Sequence, residues 1–247
     1  MLVTGYPKSG TTWFCLMLAN CLNVRYDNLM EPGVHPREEW QRKLTQGGLP
    51  HRAWTEETGG EVVFTHDPLR LEQRKPEEYS IYIVRDGRDV VVSFYYYLNR
   101  FLPEDQGGGR MRLRDRVRRL GESRRFSAFV KEKAAEWAQD VRRSLALKPD
   151  QVVRYEDLNR DAGATLSRIF RAWGIDMEPA VIAQSVEAFS FEHMAGRKKG
   201  DEDSRSFFRK GIIGDWHEKF SEADKRSFKQ VAGDLLVELG YENDQSW

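Results

Sequence analysis

The chain has 247 residues, 40% of them hydrophobic and 32% charged, enough for one large domain with a full core. Its 39 basic and 39 acidic side chains cancel, which excludes the basic excess of a long nucleic-acid groove while leaving room for a local anion pocket. No apolar run approaches the ~20 residues that a bilayer span requires, so neither nucleic acid nor membrane is an expected partner.

The opening Met1–Thr4 reads as a buried strand that begins at once, without a basic leader or cleavage pattern, and so points to a cytoplasmic protein. A Gly-rich turn follows, then an apolar helix from about Gly10 to Leu22. Cys15 and Cys21 fall on that helix about 9 Å apart along its axis, too far for a disulfide, and read as core thiols of a reducing compartment. Glu61–His66, Ser80–Arg85 and Gln151–Tyr155 are apolar, β-branched runs that read as further strands. Before the helical stretch Phe126–Leu147, residues 103–125 turn Gly-rich and then basic, the composition of a surface connection or of a lid. A second Gly- and charge-rich loop covers residues 196–211. The last helix is well specified: Ser221 and Asp224 form a capping box, Phe228, Val231, Leu235, Leu236 and Leu239 share one face, and Gly240 is placed to end it. Strands alternating with helices predict an α/β fold, a P-loop-type central parallel sheet flanked by helices in a single domain over residues 1–247.

Gly5-Tyr6-Pro7-Lys8-Ser9-Gly10-Thr11-Thr12 follows a strand and opens a helix. Glycines let the backbone approach an anion, and the first helical N–H groups point at it with the helix dipole behind them. The ATP-type loop GxxxxGK[ST] carries its lysine directly after the second glycine. Here that position holds Thr11, and the lysine lies inside the loop at Lys8, within reach of a shorter two-group chain than a triphosphate.

Two more segments carry anion-binding groups. Arg85-Asp86-Gly87-Arg88-Asp89 leaves a strand and enters a helix, with Ser93 about two turns in; Arg85 belongs at the carboxyl edge of the sheet, where open α/β sheets bind ligands. Standing alone, Arg85 and Asp86 would read as a surface pair. Arg209-Lys210-Gly211-Ile212-Ile213-Gly214-Asp215-Trp216 sets two adjacent cations before a glycine and ends on an indole anchor, as a loop closing over an anion would.

Taken together, Pro7–Trp13, Arg85–Ser93 and Arg209–Trp216 resemble the signature set of the cytosolic-type sulfotransferase family, in the family's order and across most of the chain. That resemblance implies transfer of a sulfuryl group from 3′-phosphoadenosine-5′-phosphosulfate (PAPS) to an acceptor, releasing adenosine 3′,5′-bisphosphate, with no metal. It implies that Lys8, Ser9, Gly10, Thr11 and Thr12 hold the 5′-phosphosulfate and that Trp13 stacks on adenine. Arg85, Ser93, Arg209, Lys210 and the Gly211 backbone are assigned to the 3′-phosphate. Tyr155 matches a nucleotide-contacting segment, and Phe191 matches a second adenine-stacking ring, although Phe189 stands where that pattern has Thr. The donor segments are thus 5–13, 85–93, 155 and 189–216, with acceptor and lid segments at about 25–60 and 95–125. Trp40, Trp54, Tyr95, Tyr96, Tyr97 and Phe101 in those segments, mixed with many charges, admit a phenol, an alcohol, an amine, a sugar or a polar natural product, and fold alone does not choose among them.

Sulfuryl transfer needs in-line placement, a deprotonated acceptor and relief of charge on the leaving phosphate. His66 ends an apolar strand at the loop edge, and Thr65-His66-Asp67-Pro68 resembles the family's base segment. His66 is therefore the expected base, Lys8 the group that meets the leaving oxygen, and Ser93 a hydrogen-bonding partner of Lys8 or of the 3′-phosphate. Two positions depart from the family: Phe64 stands where it has a lysine two residues before the base, and Asp67 where Leu is usual. The family's dimer motif would align with His217, Ser221, Glu222 and Arg226 and is not matched, which implies a monomer or another oligomer. A small-molecule kinase and a nucleotide-binding protein without turnover are the competing readings.

Overall fold

The computed structural model describes residues 1–29, 60–99, 111–203 and 206–247, so Trp40, Trp54 and Phe101 lie outside the described residues. The chain forms two compact units, one of Met1–Arg85 and Val141–Asp201, the other of Asp86–Asp140 and Glu202–Trp247.

The first unit is built on a sheet of five parallel strands: β1 (Leu2–Thr4), β2 (Arg25–Asn28), β3 (Glu61–Thr65), β4 (Ser80–Val84) and β5 (Gln151–Arg154), in the order β2-β3-β1-β4-β5. The expected parallel α/β sheet is thus present, with one strand more than the apolar runs announce. Strand β2 reads Arg-Tyr-Asp-Asn and carries no apolar alternation; main-chain pairing with β3 holds it at the sheet edge. It occupies the start of the 25–60 segment.

Only three residues long, β1 pairs on both sides, Val3 opposite Phe64 and Ile81, Thr4 opposite Thr65 and Tyr82. Side chains alternate faces along such strands. Val3, Val62, Phe64, Ile81, Ile83 and Val153 form one core with α1 (Thr11–Leu22) and the later helices of this unit, whose Leu166, Ile169, Phe170 and Ile182 are all buried. Leu2 and Val63 turn the other way, onto Leu71 and Leu147. Cys15 and Cys21 are buried free thiols in the first core, and burial pushes both thiols up from their ordinary range. They are core residues, as expected.

Because β1 pairs with β3 on one side and β4 on the other, the strand order reverses beside it. Ligands of open α/β sheets bind at such a switch, beyond the carboxyl ends of the strands. Four strands end there on expected site residues: Gly5 follows β1, His66 follows β3, Arg85 follows β4, and Tyr155 follows β5.

The second unit holds α3 (Gly87–Asn99), which follows a one-turn α2 (Leu69–Glu72) in chain order, most of α4 (Met111–Ala146), and the C-terminal helix α5 (Glu222–Glu238). Helix α4 begins well before Phe126, so residues 111–125 of the expected connection are helical. Trp137 of α4 is fully buried and packs 5.8 Å from Phe228 of α5. Ser221 and Asp224 make the capping box read from the sequence. Among the described residues, no helix is long and apolar enough to cross a membrane.

Gly87 opens α3 against the face of Trp137: a Cβ there would lie 2.5–2.7 Å from three ring carbons. Gly87→Ala should therefore destabilise the protein by about 1–3 kcal/mol in urea unfolding, the usual cost of overpacking a closed core; an unchanged midpoint would mean that Trp137 moves freely.

Candidate functional site

The Gly5–Thr12 turn, the expected phosphate loop, is shaped by two left-handed residues, Lys8 at φ 72° and Gly10 at φ 87°. A Cβ on Gly10 would sit 2.5 Å from the Tyr155 ring, and one on Gly5 would sit 2.7 Å from the Ile83 carbonyl oxygen, so the loop's close approaches are made by bare backbone. Gly10 caps α1 without a side-chain hydrogen bond, which leaves the first helical N–H groups to an anion rather than to a cap. The Ser9 hydroxyl is buried and makes no hydrogen bond among the described residues. A cradle of uncapped N–H groups with a buried hydroxyl fits a phosphate or phosphosulfate group.

Lys8 is not glycine, and its left-handed backbone costs on the order of 1–2 kcal/mol. Arg85 meets that cost from the next strand: its Nη1 donates to the Lys8 carbonyl at 3.1 Å, a charged hydrogen bond of about 1.5–3 kcal/mol. The Arg85 guanidinium also lies 4.2 Å from the centroid of Tyr155. Tyr155 is 7% exposed, and its hydroxyl accepts from Asn159 at 3.1 Å.

His66 lies one residue past β3, and its Nδ1 is 2.5 Å from the Gly5 carbonyl oxygen. A carbonyl only accepts, so Nδ1 carries the proton and, in the neutral ring, Nε2 carries the basic lone pair. The first residue of the phosphate loop thus sets the tautomer that a general base requires. Phe64 is fully buried, its ring edge-on to the imidazole at 4.7 Å between centroids. Where the family has a cation, this chain has a wall that holds the His66 ring in place. Asp67 turns outward, its Oδ1 accepting from the Leu69 N–H at 2.9 Å.

Trp13 is half-buried on α1, and its Nε1–H donates to the Phe189 carbonyl at 2.6 Å. Phe189 is itself core, 2% exposed, which explains how an aromatic ring replaces Thr there. Ser190 caps the short helix Phe191–Ala195, and the Phe191 ring lies 5.4 Å from the Arg197 guanidinium.

The second unit holds the other expected residues. Ser93 is half-buried on α3. Arg209 and Lys210 both meet Asp215, a residue of their own motif: Arg209 through Nη2, Lys210 through Nζ at 2.7 Å. Arg209 also pairs with Glu202 at 2.7 Å and covers the Tyr96 ring at 4.7 Å. Burial raises the Asp215 carboxyl, but hydrogen bonds and charge from Lys210 and Arg209 outweigh it and hold the group below the usual carboxylate range. Asp89 of α3 accepts from the Gly214 N–H at 2.7 Å and the Trp216 N–H at 3.0 Å, fastening the loop. Arg88, 2% exposed and paired with Asp86 and Glu242, lies over the rings of Trp216 and Trp247, 3.9 and 4.4 Å from their centroids.

The sequence reading missed Asp89, Arg88, Asp215 and Tyr96 as supports of this loop. The acids of Arg85–Asp89 were the available signal, but nothing local showed what they would cap. Tyr95, Tyr96 and Tyr97, read as acceptor-segment aromatics, have partners within their own unit: Phe126 and Phe129, Arg209, and Phe207 respectively.

A family model described as "Sulfotransferase domain" matches residues 1–240. The chain belongs to that family and is an enzyme that transfers a sulfuryl group, which sets aside the kinase and non-catalytic readings. Human sulfotransferase 2A1 is 21% identical over 259 residues, covering 97% of this chain and 85% of the human protein. Rabbit (Oryctolagus cuniculus) sulfotransferase 1C2 is 24% identical over 271 residues, with 97% and 86% covered. Among solved structures, mouse sulfotransferase SULT7A1 complexed with PAP is 22% identical with a TM-score of 0.62, covering 98% of this chain and 85% of that one. A retinol dehydratase in complex with androsterone and inactive cofactor PAP is 21% identical with a TM-score of 0.60, covering 95% and 80%.

Because Asp215 has a depressed folded pKa, its stabilisation is fully present above the unfolded value near 4 and is lost as pH falls through the lower folded value. Asp215→Asn should cost about 1.5 kcal/mol at pH 7, at the low end for a charged hydrogen bond because Glu202 stays on Arg209. In urea unfolding, the gap from the parent should narrow as pH drops from 5 toward 2. A gap constant across that range would contradict the pairing.

Proposed function

We propose that the chain uses PAPS as its sulfuryl donor, releases adenosine 3′,5′-bisphosphate, and sulfates a hydroxyl or amine of a small-molecule acceptor. The observation that carries this reading is the His66 Nδ1 contact with the Gly5 carbonyl, which joins a base of defined tautomer to the phosphate loop. The complexes of mouse SULT7A1 and of retinol dehydratase with PAP support the choice of nucleotide.

In this reading Lys8, Ser9, Gly10, Thr11 and Thr12 hold the 5′-phosphosulfate, and Trp13 and Phe191 take the adenine with Tyr155 beside them. Arg85, Ser93, Arg209, Lys210 and the Gly211 backbone take the 3′-phosphate. His66 Nε2 accepts the acceptor's proton as the acceptor oxygen or nitrogen bonds to sulfur. The bond from sulfur to the 5′-phosphate oxygen breaks in line, and Lys8 with the α1 N–H groups meets the charge left on that oxygen. Phe64 supplies no charge, so this chain places that stabilisation on Lys8 and the helix terminus.

His66→Ala should lower kcat by about 10²–10⁴-fold, the range for loss of a general base, while calorimetric affinity for adenosine 3′,5′-bisphosphate stays within about threefold. Retained turnover would remove His66 from the mechanism. Arg209→Ala should weaken that nucleotide by about tenfold or more, as loss of a charged phosphate contact does. The donor class itself is tested by thermal shift: stabilisation by adenosine 3′,5′-bisphosphate and none by ATP with Mg²⁺ is expected, and the reverse pattern would overturn the assignment.

A further inference from the structure

The resemblance gives Arg85 one task, the 3′-phosphate, but its side chain also meets the loop assigned to the 5′ end of the donor. Nη1 donates to the Lys8 carbonyl at 3.1 Å, and the guanidinium lies 4.2 Å from the centroid of Tyr155. The same tyrosine ring presses on Gly10, so closely that a Cβ there would sit 2.5 Å from Cδ2. Lys8 and Gly10 are the loop's two left-handed residues, and they flank Ser9, whose hydroxyl is buried. One stacked pair therefore touches both ends of the turn Lys8-Ser9-Gly10, holding the Lys8 carbonyl by a hydrogen bond and the Gly10 backbone by contact. Consecutive N–H groups in such a turn converge on an anion only while those dihedrals are kept.

We infer that Arg85, stacked on Tyr155, is a positioning residue that fastens the phosphate loop in its anion-binding shape and so governs affinity for the 5′ end of the donor. Arginine suits this task and lysine does not: the planar fork lies flat on the ring while one arm donates sideways, whereas an ammonium is a point charge without a face. This role rests on the PAPS reading, and it is separable from any contact between Arg85 and the 3′-phosphate.

The test uses two nucleotides on the full chain, adenosine 3′,5′-bisphosphate and adenosine 5′-phosphosulfate, which lacks the 3′-phosphate. If the parent protein binds neither, the donor reading fails, whatever Arg85 does. With the parent binding both, Arg85→Lys is expected to weaken adenosine 5′-phosphosulfate by about tenfold, the worth of one charged hydrogen bond, and Tyr155→Leu to do the same. If Arg85→Lys weakens only the bisphosphate and leaves adenosine 5′-phosphosulfate unchanged, the positioning role is overturned. Should either variant fail to fold, a crystal structure of the parent with adenosine 3′,5′-bisphosphate decides: Nη1 still on the Lys8 carbonyl supports the inference, and Nη1 turned away from it overturns it.

Discussion

Gly10 lies against the ring of Tyr155 with no room for a single added carbon, and the geometry of the phosphate loop follows from that contact. The ring can approach because the residue has no side chain; once there, it offers a face to Arg85, which in turn holds the Lys8 carbonyl. Three elements distant in sequence, the loop after β1, the end of β4 and the start of the helix after β5, are thereby joined at one point. The strain of a left-handed lysine is tolerable because a charged hydrogen bond of comparable size opposes it.

A second economy lies at Gly5. Its carbonyl begins the phosphate loop and also fixes which nitrogen of His66 holds the proton. The proposed base and the loop thus meet at one carbonyl oxygen, and that oxygen fixes the tautomer. Phe64 completes the arrangement from below: a buried ring edge-on to the imidazole restrains its tilt by packing alone.

The fold was legible where apolar runs meet turn chemistry. Leu2–Thr4, Glu61–Thr65 and Ser80–Val84 are strands because β-branched and apolar residues bury both faces of a parallel sheet, while the edge strand Gln151–Arg154 buries Val153 alone. Strand β2 was not legible, since an edge strand reading Arg-Tyr-Asp-Asn offers one core-packing ring, Tyr26, and otherwise relies on pairing with its neighbour's backbone. The residues proposed for the site come from motif spacing, but the supports around them could not be read that way. That Asp89 would cap Gly214 and Trp216 across more than a hundred residues of sequence is decided by tertiary packing, which no local pattern encodes. Likewise Tyr96 reads as one of three adjacent aromatics, and only the fold turns its face under Arg209.

The meeting of Arg209 and Lys210 on Asp215 bears on turnover. In the proposed role these cations exchange an internal carboxylate for a ligand's phosphate, so the binding energy they contribute is the difference between two anions. Such a swap lowers affinity for donor and product alike, since both carry the same 3′-phosphate. A departing bisphosphate leaves behind cations that have a resident counter-ion to return to, and the exit step is easier for it. A loop carrying its own competitor trades tight retention for quick release, a bargain suited to a transferase whose spent donor must leave before the next can enter.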